Sequence, residues 1–535
     1  MKKLRFCSIF IFILGLGAYA QTEEVSWEDI REGYEFPEWY TGARFGIWVH
    51  WGAQTEPKEG GGWYARHMYM QDVGNEKWGS AAYEYHLKTY GHPSEKGYKD
   101  VLNEWKAKNL DTDNLVKYFK SIGAKYFVAL ANHHDHFDNF DSSHHPWNSV
   151  EIGPKRDIIK EFEVSCKKYD IPYGVSSHDD RFLSWWLPAF GSDTSGVYKG
   201  KRYDGYMTRE DGKGTWWEGL DPADLYGLPP EQRTPEYIKS VKENWTRRHE
   251  ELVTKYDIDM LWFDGYGFPY GDYGKQVCQT FFNHKMKTGN GKIDAVVVGK
   301  YTGEPSTVKD IERGGAHEIL PYPWQGITTF RTWFYKEDKE RLAYTHNTRT
   351  VIELLSDYMS KNGNLLLNVE LLPDGTIPPK QKQMLDEIGE WVNLNSEAIY
   401  ETKPWLIYGD NLNSYLKRTE DGTTETDLQA LKDQKKAAHF NERTMNSPEY
   451  GPDEVRFVTK GNTLYMIVLN PQAGIIDIPS LGLGSKQKPG KITAISLIGK
   501  EKPVTYKQLN KGLKLNVPED RPNRYAAVFK LEGVL

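Results

Sequence analysis

The stretch Ile258-Asp-Met-Leu-Trp-Phe-Asp-Gly265 is an apolar run that ends on an aspartate and then a glycine. It predicts a short buried strand with Asp264 at its carboxyl end. Aspartate is disfavoured in strands and costly to bury, so its position needs a reason. One interpretation is a turn, because Asp-Gly is a common turn dipeptide. The other is chemical, because parallel barrels keep their reactive carboxylates at the carboxyl ends of strands.

Length and composition limit the classes of protein that this chain can be. Its 535 residues are too many for one compact core, so two or three domains are expected. The formal net charge is −7 and no basic stripe stands out, which argues against nucleic acid as a partner. Aromatic residues make up 14% of the chain, an excess that suits clefts binding sugar rings, although large cores also use aromatic side chains.

The first twenty residues have the pattern of a signal peptide. Three basic residues among the first five precede an apolar run from Phe6 to Leu16, and Ala18-Tyr-Ala20 fits a cleavage site. The run is too short to span a membrane, so no membrane anchor is expected. We therefore predict that residues 1–20 are removed and that the protein is secreted or periplasmic. Cys166 and Cys278 then remain, and one disulfide or two free thiols fit the sequence equally.

Strand and helix patterns alternate through the first 400 residues. Strands are predicted at 45–49, 125–131, 171–177, 258–263 and 294–299, and a turn plus strand at 361–368. Helices are predicted at 109–120, 157–168, 234–255, 275–287, 348–360 and 379–394. Such alternation predicts a parallel sheet covered by helices.

Polar side chains follow nearly every predicted strand, and this distribution separates two architectures. An open sheet would gather a few such groups at one switch point. Polar groups after each strand favour a closed (β/α) barrel with its site on one face, and we assign it residues 21–404. The polar groups at the strand ends are His50, His133, His134, His178, Asp264 and Lys300.

The adjacent pair His133-His134, followed by Asp135, permits a metal site or a site that holds a polar ligand. The zinc spacing of two histidines four residues apart, with a glutamate between them, is absent. We therefore favour hydrogen bonding to a polar ligand, and we expect no metal and no cofactor. A metal hydrolase remains an alternative, and it would lose activity with a chelator.

Beyond Trp405 the character of the chain changes. Short runs of alternating polarity appear, separated by turns rich in Gly, Pro and Asn. They predict a C-terminal β-sandwich over residues 405–535. Five runs carry the pattern, at 455–458, 463–469, 492–497, 513–517 and 525–529.

Several ordered blocks between residues 39 and 405 resemble glycoside hydrolase family 29, the α-L-fucosidases. The set is specific to that family, whereas no single block is. The blocks are Trp39-Tyr40 with Arg44-Phe-Gly-Ile-Trp-Val-His-Trp-Gly52, Gly123-Ala-Lys-Tyr126 with His133-His-Asp135, Trp147-Asn-Ser149 with Gly153-Pro-Lys-Arg-Asp157, Leu261-Trp-Phe-Asp-Gly265, Ser360-Lys-Asn-Gly-Asn-Leu-Leu-Leu-Asn368, Asp374-Gly-Thr-Ile-Pro378 and Ile388-Gly-Glu-Trp391.

The resemblance implies a barrel, a C-terminal β-sandwich, no metal and an exo-acting retaining glycosidase. It implies that Asp264 is the nucleophile that forms a glycosyl-enzyme intermediate. For the general acid, Glu312 matches the family's block best, while Glu304 and Glu318 remain candidates. His50, His133 and His134 match the family's pocket histidines, which hold sugar hydroxyls. We also predict substrate-binding roles for Trp63, His178 and Lys300.

Departures from the family pattern leave the sugar open. Gly62 stands where a glutamate is usual, Ser176 and Ser177 where tyrosines are usual, and Lys300 where an arginine is common. The segment His136-Phe-Asp-Asn139 replaces a Gly-Phe that precedes an apolar stretch. Smaller and more polar neighbours predict a roomier pocket than fucose needs.

Three functions follow from this sequence. The default is an exo-acting retaining α-L-fucosidase acting on oligosaccharides or polysaccharides. The alternative is an α-L-galactosidase for algal galactan oligosaccharides, 6-sulfated or not, with His178, Arg181 or Lys300 near the added group. A third is an inactive homologue that only binds carbohydrate. The sequence does not indicate the oligomeric state.

Overall fold

The structure of this protein is a computed structural model, and it describes residues 24–71, 77–289, 291–337, 344–412 and 450–535. The predicted signal peptide, residues 1–20, lies outside these ranges, so it stays a prediction.

The first unit is a closed barrel of eight parallel strands that pair in chain order, with β8 closing on β1. The predicted fold class, a (β/α) barrel followed by a unit of antiparallel sheets, is confirmed. The barrel strands are β1 Phe45–Val49, β2 Phe127–Asn132, β3 Tyr173–Ser177, β4 Met260–Phe263, β5 Val296–Gly299, β6 Thr307–Glu312, β7 Trp324–Thr329 and β8 Gly363–Asn368.

Helices cover the outside of the barrel and fill its loops. They are α1 Trp27–Gly33, α2 Glu38–Thr41, α3 Tyr64–His67, α4 Lys77–Thr89, α5 Tyr98–Glu104, α6 Thr112–Ser121, α7 Ile158–Lys168, α8 Phe182–Trp185, α9 Pro222–Tyr226, α10 Pro235–Lys255, α11 Asp272–Thr288, α12 Thr348–Ser360 and α13 Pro379–Leu394. Short 3₁₀ turns lie at Ala53–Thr55, Gly61–Trp63, Leu187–Phe190, Asp204–Tyr206, Arg209–Gly212, Pro230–Gln232, Ser396–Ala398 and Pro479–Leu481.

The predicted helices are found within a few residues of their expected bounds. Asp111, Asp157 and Thr234 each accept a hydrogen bond from a backbone N–H of the first helical turn that follows them. These local caps explain why the sequence locates the helices well. The strands β6 and β7 were not predicted, because each mixes charged or polar residues into the apolar pattern that marks a buried strand.

Apolar side chains fill the inside of the barrel and form a core separate from the one under the helices. Alternate residues along each strand point inward, as the twofold period of a strand requires. The rings of Trp48 and Trp262 meet there with centroids 4.6 Å apart. These two indoles form the floor of the cavity described below. The inner core comprises Tyr40, Ala43, Trp48, Tyr126, Val128, Met260, Trp262, Val296, Val298, Val308, Ile327 and Leu366.

The second unit contains two antiparallel sheets that share one apolar core, as a β-sandwich does. The five-stranded sheet has the order β13-β16-β11-β10-β9, and the three-stranded sheet has the order β12-β15-β14. The sequence missed β9, β12 and β14. The strands are β9 Lys403–Asp410, β10 Val455–Lys460, β11 Thr463–Val468, β12 Gly474–Ile478, β13 Ala494–Leu497, β14 Tyr506–Gln508, β15 Leu513–Val517 and β16 Ala527–Glu532.

Buried polar contacts join the two units. Arg456 on β10 donates to Asp357 on α12 at 2.6 Å, and Lys361 donates to the other oxygen of that carboxylate at 2.7 Å. The indole N–H of Trp391 on α13 donates to the carbonyl of Ala526 at 2.8 Å. The sandwich is therefore attached to the helices that precede and follow β8.

Within the ranges that the structure describes, no helix combines the length and the apolar character needed to cross a membrane. Cys166 and Cys278 are both buried free thiols, so they do not pair.

Candidate active site

The carboxyl ends of the barrel strands surround a cavity of about 580 Å³. Because the strands are parallel, the carboxyl ends of all eight lie on this one face of the barrel. All the site residues predicted from the sequence line this cavity: His50 after β1, Trp63 in the following loop, His133 and His134 after β2, His178 after β3, Asp264 after β4, Lys300 after β5, and Glu312 at the end of β6.

One ammonium group joins the two predicted catalytic carboxylates. Lys300 Nζ donates to Asp264 Oδ1 at 2.7 Å and to Glu312 Oε2 at 2.7 Å. The two oxygens are therefore no farther apart than twice that distance, 5.4 Å. Burial would lower the pKa of Lys300, but the two carboxylates outweigh burial and raise it. The lysine is therefore charged and holds both acids at a fixed spacing.

The second oxygen of Asp264 faces three further nitrogen atoms. His134 Nε2 lies 3.6 Å from Oδ2, His178 Nδ1 lies 3.7 Å away, and an Arg181 Nη lies 3.8 Å away. Burial would raise the pKa of Asp264, but the Lys300 ammonium and the neighbouring His178 ring outweigh burial and hold it well below its usual range. Asp264 is consequently ionised at neutral pH.

The Asp-Gly dipeptide is both a turn and a carboxylate site. Gly265 has φ +88°, and a Cβ there would lie 2.4 Å from Asp180 Oδ2. Only glycine fits both the left-handed backbone and this contact. The turn and the chemical interpretation of the opening stretch therefore describe the same two residues.

Two pocket histidines have their tautomers set by hydrogen bonds from Nδ1 to neighbouring residues. His50 Nδ1 lies 3.0 Å from Asn368 Oδ1, and that oxygen also accepts the backbone N–H of His50. His134 Nδ1 donates to the backbone carbonyl of His178. Burial lowers the pKa of His50 well below its usual range and lowers that of His134 to about 3. Both rings are neutral at pH 7, and each has its Nε2 left to accept a hydrogen bond.

His133 completes the row of histidines beside the floor of the cavity. Gln54 Nε2 lies 2.9 Å from its Nδ1, and burial lowers its pKa well below the usual value. Among the described residues, no group of three or more His, Cys, Asp or Glu side chains has the arrangement of a metal site. The histidines thus form a neutral polar wall that suits hydroxyl groups.

A family model described as Alpha-L-fucosidase matches residues 15–397. The chain belongs to the α-L-fucosidase family of glycoside hydrolases. Tissue α-L-fucosidase of Bos taurus is 26% identical over 518 residues, which cover 93% of this chain and 89% of that protein. Plasma α-L-fucosidase of Rattus norvegicus is 27% identical over 403 residues, covering 74% of this chain and 76% of that protein.

Solved structures of α-L-fucosidases share the fold. The Thermotoga maritima α-fucosidase in complex with fucose aligns with a TM-score of 0.65 at 24% identity, covering 95% of this chain and 99% of that chain. Isoenzyme 1 of Paenibacillus thiaminolyticus aligns with a TM-score of 0.60 at 20% identity, covering 92% and 98%.

The three glutamates that follow Asp264 are separated by the structure. Only Glu312 lines the cavity. Glu304 lies 3.8 Å from Arg31 and 3.7 Å from Lys275, on the outside of the barrel. Glu318 is exposed and absent from the cavity lining.

The family's usual glutamate at position 62 has no room in this chain. A Cβ on Gly62 would lie 2.8 Å from the ring of Phe334 and 3.5 Å from His133. Phe334 therefore fills the space that the missing side chain leaves, and its ring lies 4.9 Å from that of His133. The expected gain of room from Gly62 is wrong, because an aromatic ring from another loop occupies it.

Of the other departures, Lys300 lines the cavity, whereas Ser176, Ser177 and His136 lie behind it. Ser176 accepts a hydrogen bond from the Trp48 indole at 3.1 Å, and Ser177 lies 2.7 Å from His249 Nε2. His136 has φ +57° and contacts the Asp179 carboxylate at 2.8 Å. None of the three lines the cavity, so the expectation that they add polar groups to it is wrong.

Sequence reasoning missed the wall that follows β7. Trp333 and Phe334 line the cavity there, and Glu370 holds their loop through the backbone N–H of Thr332 at 2.7 Å and through Arg331 at 3.2 Å. A Thr-Trp-Phe run after an unpredicted strand carried no signal. The sequence signal for a held loop is the acid Glu370, two residues beyond β8, and the structure shows that it is buried.

A buried ion cluster lies behind His178. Arg248 on α10 donates to Asp138 Oδ2 at 3.0 Å and to Asp179 Oδ2 at 2.9 Å, and all three side chains are fully buried. Asp179 directly follows His178, so the cluster fixes the turn that presents His178 and Arg181.

Replacing Arg248 by methionine leaves two buried carboxylates without their shared cation. We expect the free energy of unfolding to fall by about 3–5 kcal/mol, read from the midpoint of urea unfolding. The matched control is Arg247→Met, because Arg247 is the exposed neighbour on the same helix, and its change should stay within about 0.5 kcal/mol. Equal shifts for the two variants would contradict a stabilising role for the cluster.

Proposed function

We propose that the protein is an exo-acting retaining α-L-fucosidase in which Asp264 is the nucleophile and Glu312 the general acid and base. The observation that carries this proposal is the bridge through Lys300. It limits the distance between the two carboxylate oxygens to at most 5.4 Å. Retaining glycosidases place their carboxyl groups about 5–5.5 Å apart, whereas inverting enzymes need about 6.5–9.5 Å to admit a water molecule.

In the first step Asp264 attacks the anomeric carbon and Glu312 protonates the departing oxygen. Asp264 is already ionised, because the Lys300 ammonium, with His178 beside it, holds its pKa low. Glu312 accepts a hydrogen bond from Lys300 on Oε2, which leaves Oε1 to carry the proton. The first step produces a glycosyl-enzyme ester and a free leaving group.

In the second step Glu312 takes a proton from water, which attacks the same anomeric carbon and releases Asp264. Two displacements at one carbon return the sugar with its original configuration. The neutral rings of His50 and His134 have Nε2 available to accept hydrogen bonds from sugar hydroxyl groups. These contacts orient the ring and support an exo mode of action, because the cavity ends on the Trp48 and Trp262 floor.

The decisive experiment compares aryl α-L-fucoside with aryl α-L-galactoside and follows the first-formed sugar by ¹H NMR. We expect turnover of the fucoside and release of the α-anomer before mutarotation. Release of the β-anomer would refute the retaining mechanism. Absence of turnover on both glycosides and on sulfated algal oligosaccharides would favour the homologue that only binds carbohydrate.

A second candidate is an α-L-galactosidase for sugars bearing a sulfate ester, and Arg181 favours it. Its guanidinium lines the cavity, and within the described chain it donates no hydrogen bond, since its carboxylate contacts are 3.6 and 3.8 Å. A neutral fucose ring has no group that needs this cation. Full activity on the fucoside with no measurable rate on any α-L-galactoside would eliminate this candidate.

We also propose that the enzyme acts outside the cytoplasm. The support is the basic and apolar pattern of residues 1–20 and the small residues that end it.

A further inference from the structure

An exposed tyrosine stands at the mouth of the cavity. Tyr266 lines the cavity, yet 70% of its surface is exposed, whereas the floor residues Trp48 and Trp262 are buried. A large aromatic ring at such exposure loses the burial that normally stabilises it. Its position two residues beyond Asp264 places it directly outside the proposed nucleophile.

A second tyrosine supports the first. The rings of Tyr266 and Tyr301 stack with centroids 5.5 Å apart and an interplanar angle of 23°, and Tyr301 is 43% exposed. Lys309 Nζ lies 5.9 Å from the centroid of the Tyr301 ring. Two aromatic rings thus form one continuous apolar surface at the mouth, which we call the tyrosine platform.

The backbone holds the tyrosine platform at a cost. Tyr301 has φ +54°, a left-handed conformation that a bulky residue rarely adopts. Gly265 and Gly267, with φ +88° and +82°, flank Tyr266, and the Gly267 N–H donates to the Lys300 carbonyl at 2.8 Å. This bond ties the turn after β4 to the turn after β5. Backbone strain at a functional site is retained when the geometry that it fixes is useful.

The topology places the platform on the leaving-group side. Asp264, Lys300 and Glu312 come from the neighbouring strands β4, β5 and β6, and the tyrosines follow the first two of these residues. A terminal sugar on the indole floor has its anomeric carbon at the two carboxylates. Whatever is attached to that carbon must leave through the mouth that the tyrosines border.

We propose that Tyr266, braced by Tyr301, is the binding surface for the first sugar of the leaving group. The inference rests on the proposed glycosidase function and adds the residues that bind the saccharide leaving group. The apolar C–H face of a pyranose packs on an exposed aromatic ring, and a tyrosine also offers a hydroxyl at its edge.

The test compares two substrates with the same terminal sugar, a disaccharide and the glycosyl fluoride, whose leaving group is a single atom. For Tyr266→Ala we expect kcat/KM on the disaccharide to fall about tenfold, with the change on the fluoride within twofold. Tyr266→Phe keeps the ring and should retain most of the activity on both substrates. Tyr301→Ala should lower kcat/KM on the disaccharide and not on the fluoride, because Tyr266 loses the ring that supports it.

Tyr322→Ala is the matched control, because Tyr322 is a similarly exposed tyrosine just before β7, at the opposite end of the barrel. This variant should leave kcat/KM unchanged on both substrates. An equal loss on both substrates for Tyr266→Ala, or no loss on either, would overturn the leaving-group site while leaving the glycosidase proposal intact. If the wild-type enzyme hydrolyses neither L-fucosyl fluoride nor L-galactosyl fluoride, both proposals are overturned.

Discussion

Replacing Asp264 by asparagine is expected to lower kcat by about four orders of magnitude on every substrate. The amide has the shape of the carboxylate but is a poor nucleophile, and it no longer carries the charge that Lys300 neutralises. Sugar binding should persist, because the floor and the histidine wall are unchanged. Steady-state kinetics and calorimetric titration of the product sugar measure the two parts separately.

The control for Asp264→Asn is Asp257→Asn, an exposed aspartate just before the same strand at the other end of the barrel. It should leave kcat within twofold. A complementary experiment traps wild-type enzyme with a slow 2-fluoro glycosyl fluoride and maps the added sugar mass to the peptide containing Asp264. Label on any other carboxylate would refute the nucleophile assignment even if the variant is inactive.

Replacing Glu312 by glutamine is expected to produce a loss that depends on the leaving group. On a disaccharide we expect kcat/KM to fall by about 10²–10⁴, because the departing oxygen is no longer protonated. On the glycosyl fluoride the fall should be much smaller, since fluoride leaves without strong acid assistance. A series of aryl glycosides of decreasing leaving-group pKa measures this dependence directly.

Azide gives a second readout for Glu312→Gln. A small anion that needs no general base should attack the glycosyl-enzyme and restore turnover, giving an azide product of the same configuration as the substrate. Glu304→Gln and Glu318→Gln are the matched controls, because both acids lie outside the cavity. A leaving-group-dependent loss in Glu304→Gln, with Glu312→Gln near wild type, would transfer the acid role to the other residue.

The parts of the fold that the sequence predicted are those controlled by local signals. Helix α12 and helix α13 have the predicted bounds, and Asp157 caps α7 as an N-cap aspartate does. Polar residues at strand ends predicted the cavity lining because parallel topology turns sequence position into a shared face. The distances from Lys300 to Asp264 and to Glu312 come only from the structure, because no sequence pattern contains them.

What the sequence did not predict depends on contacts between distant segments. The strand β6 is half charged, and it is a barrel strand only because β5 and β7 pair with it on either side. The vacancy at Gly62 suggested a larger pocket, but Phe334 from a loop 272 residues later fills it. His136 and Ser176 read as pocket residues, yet the turn and the strand direct them away from it.

The contacts between Asp357, Lys361 and Arg456 make the barrel depend on the sandwich. Helix α12 leads into β8, and Asn368 at the end of β8 anchors His50 through the backbone and the ring. A chain without the sandwich would leave Asp357 and Lys361 facing water at the base of this segment, and α12 and α13 would lose their cover. We therefore expect the barrel and the sandwich to unfold together, and the barrel to be less stable when it is produced without the sandwich.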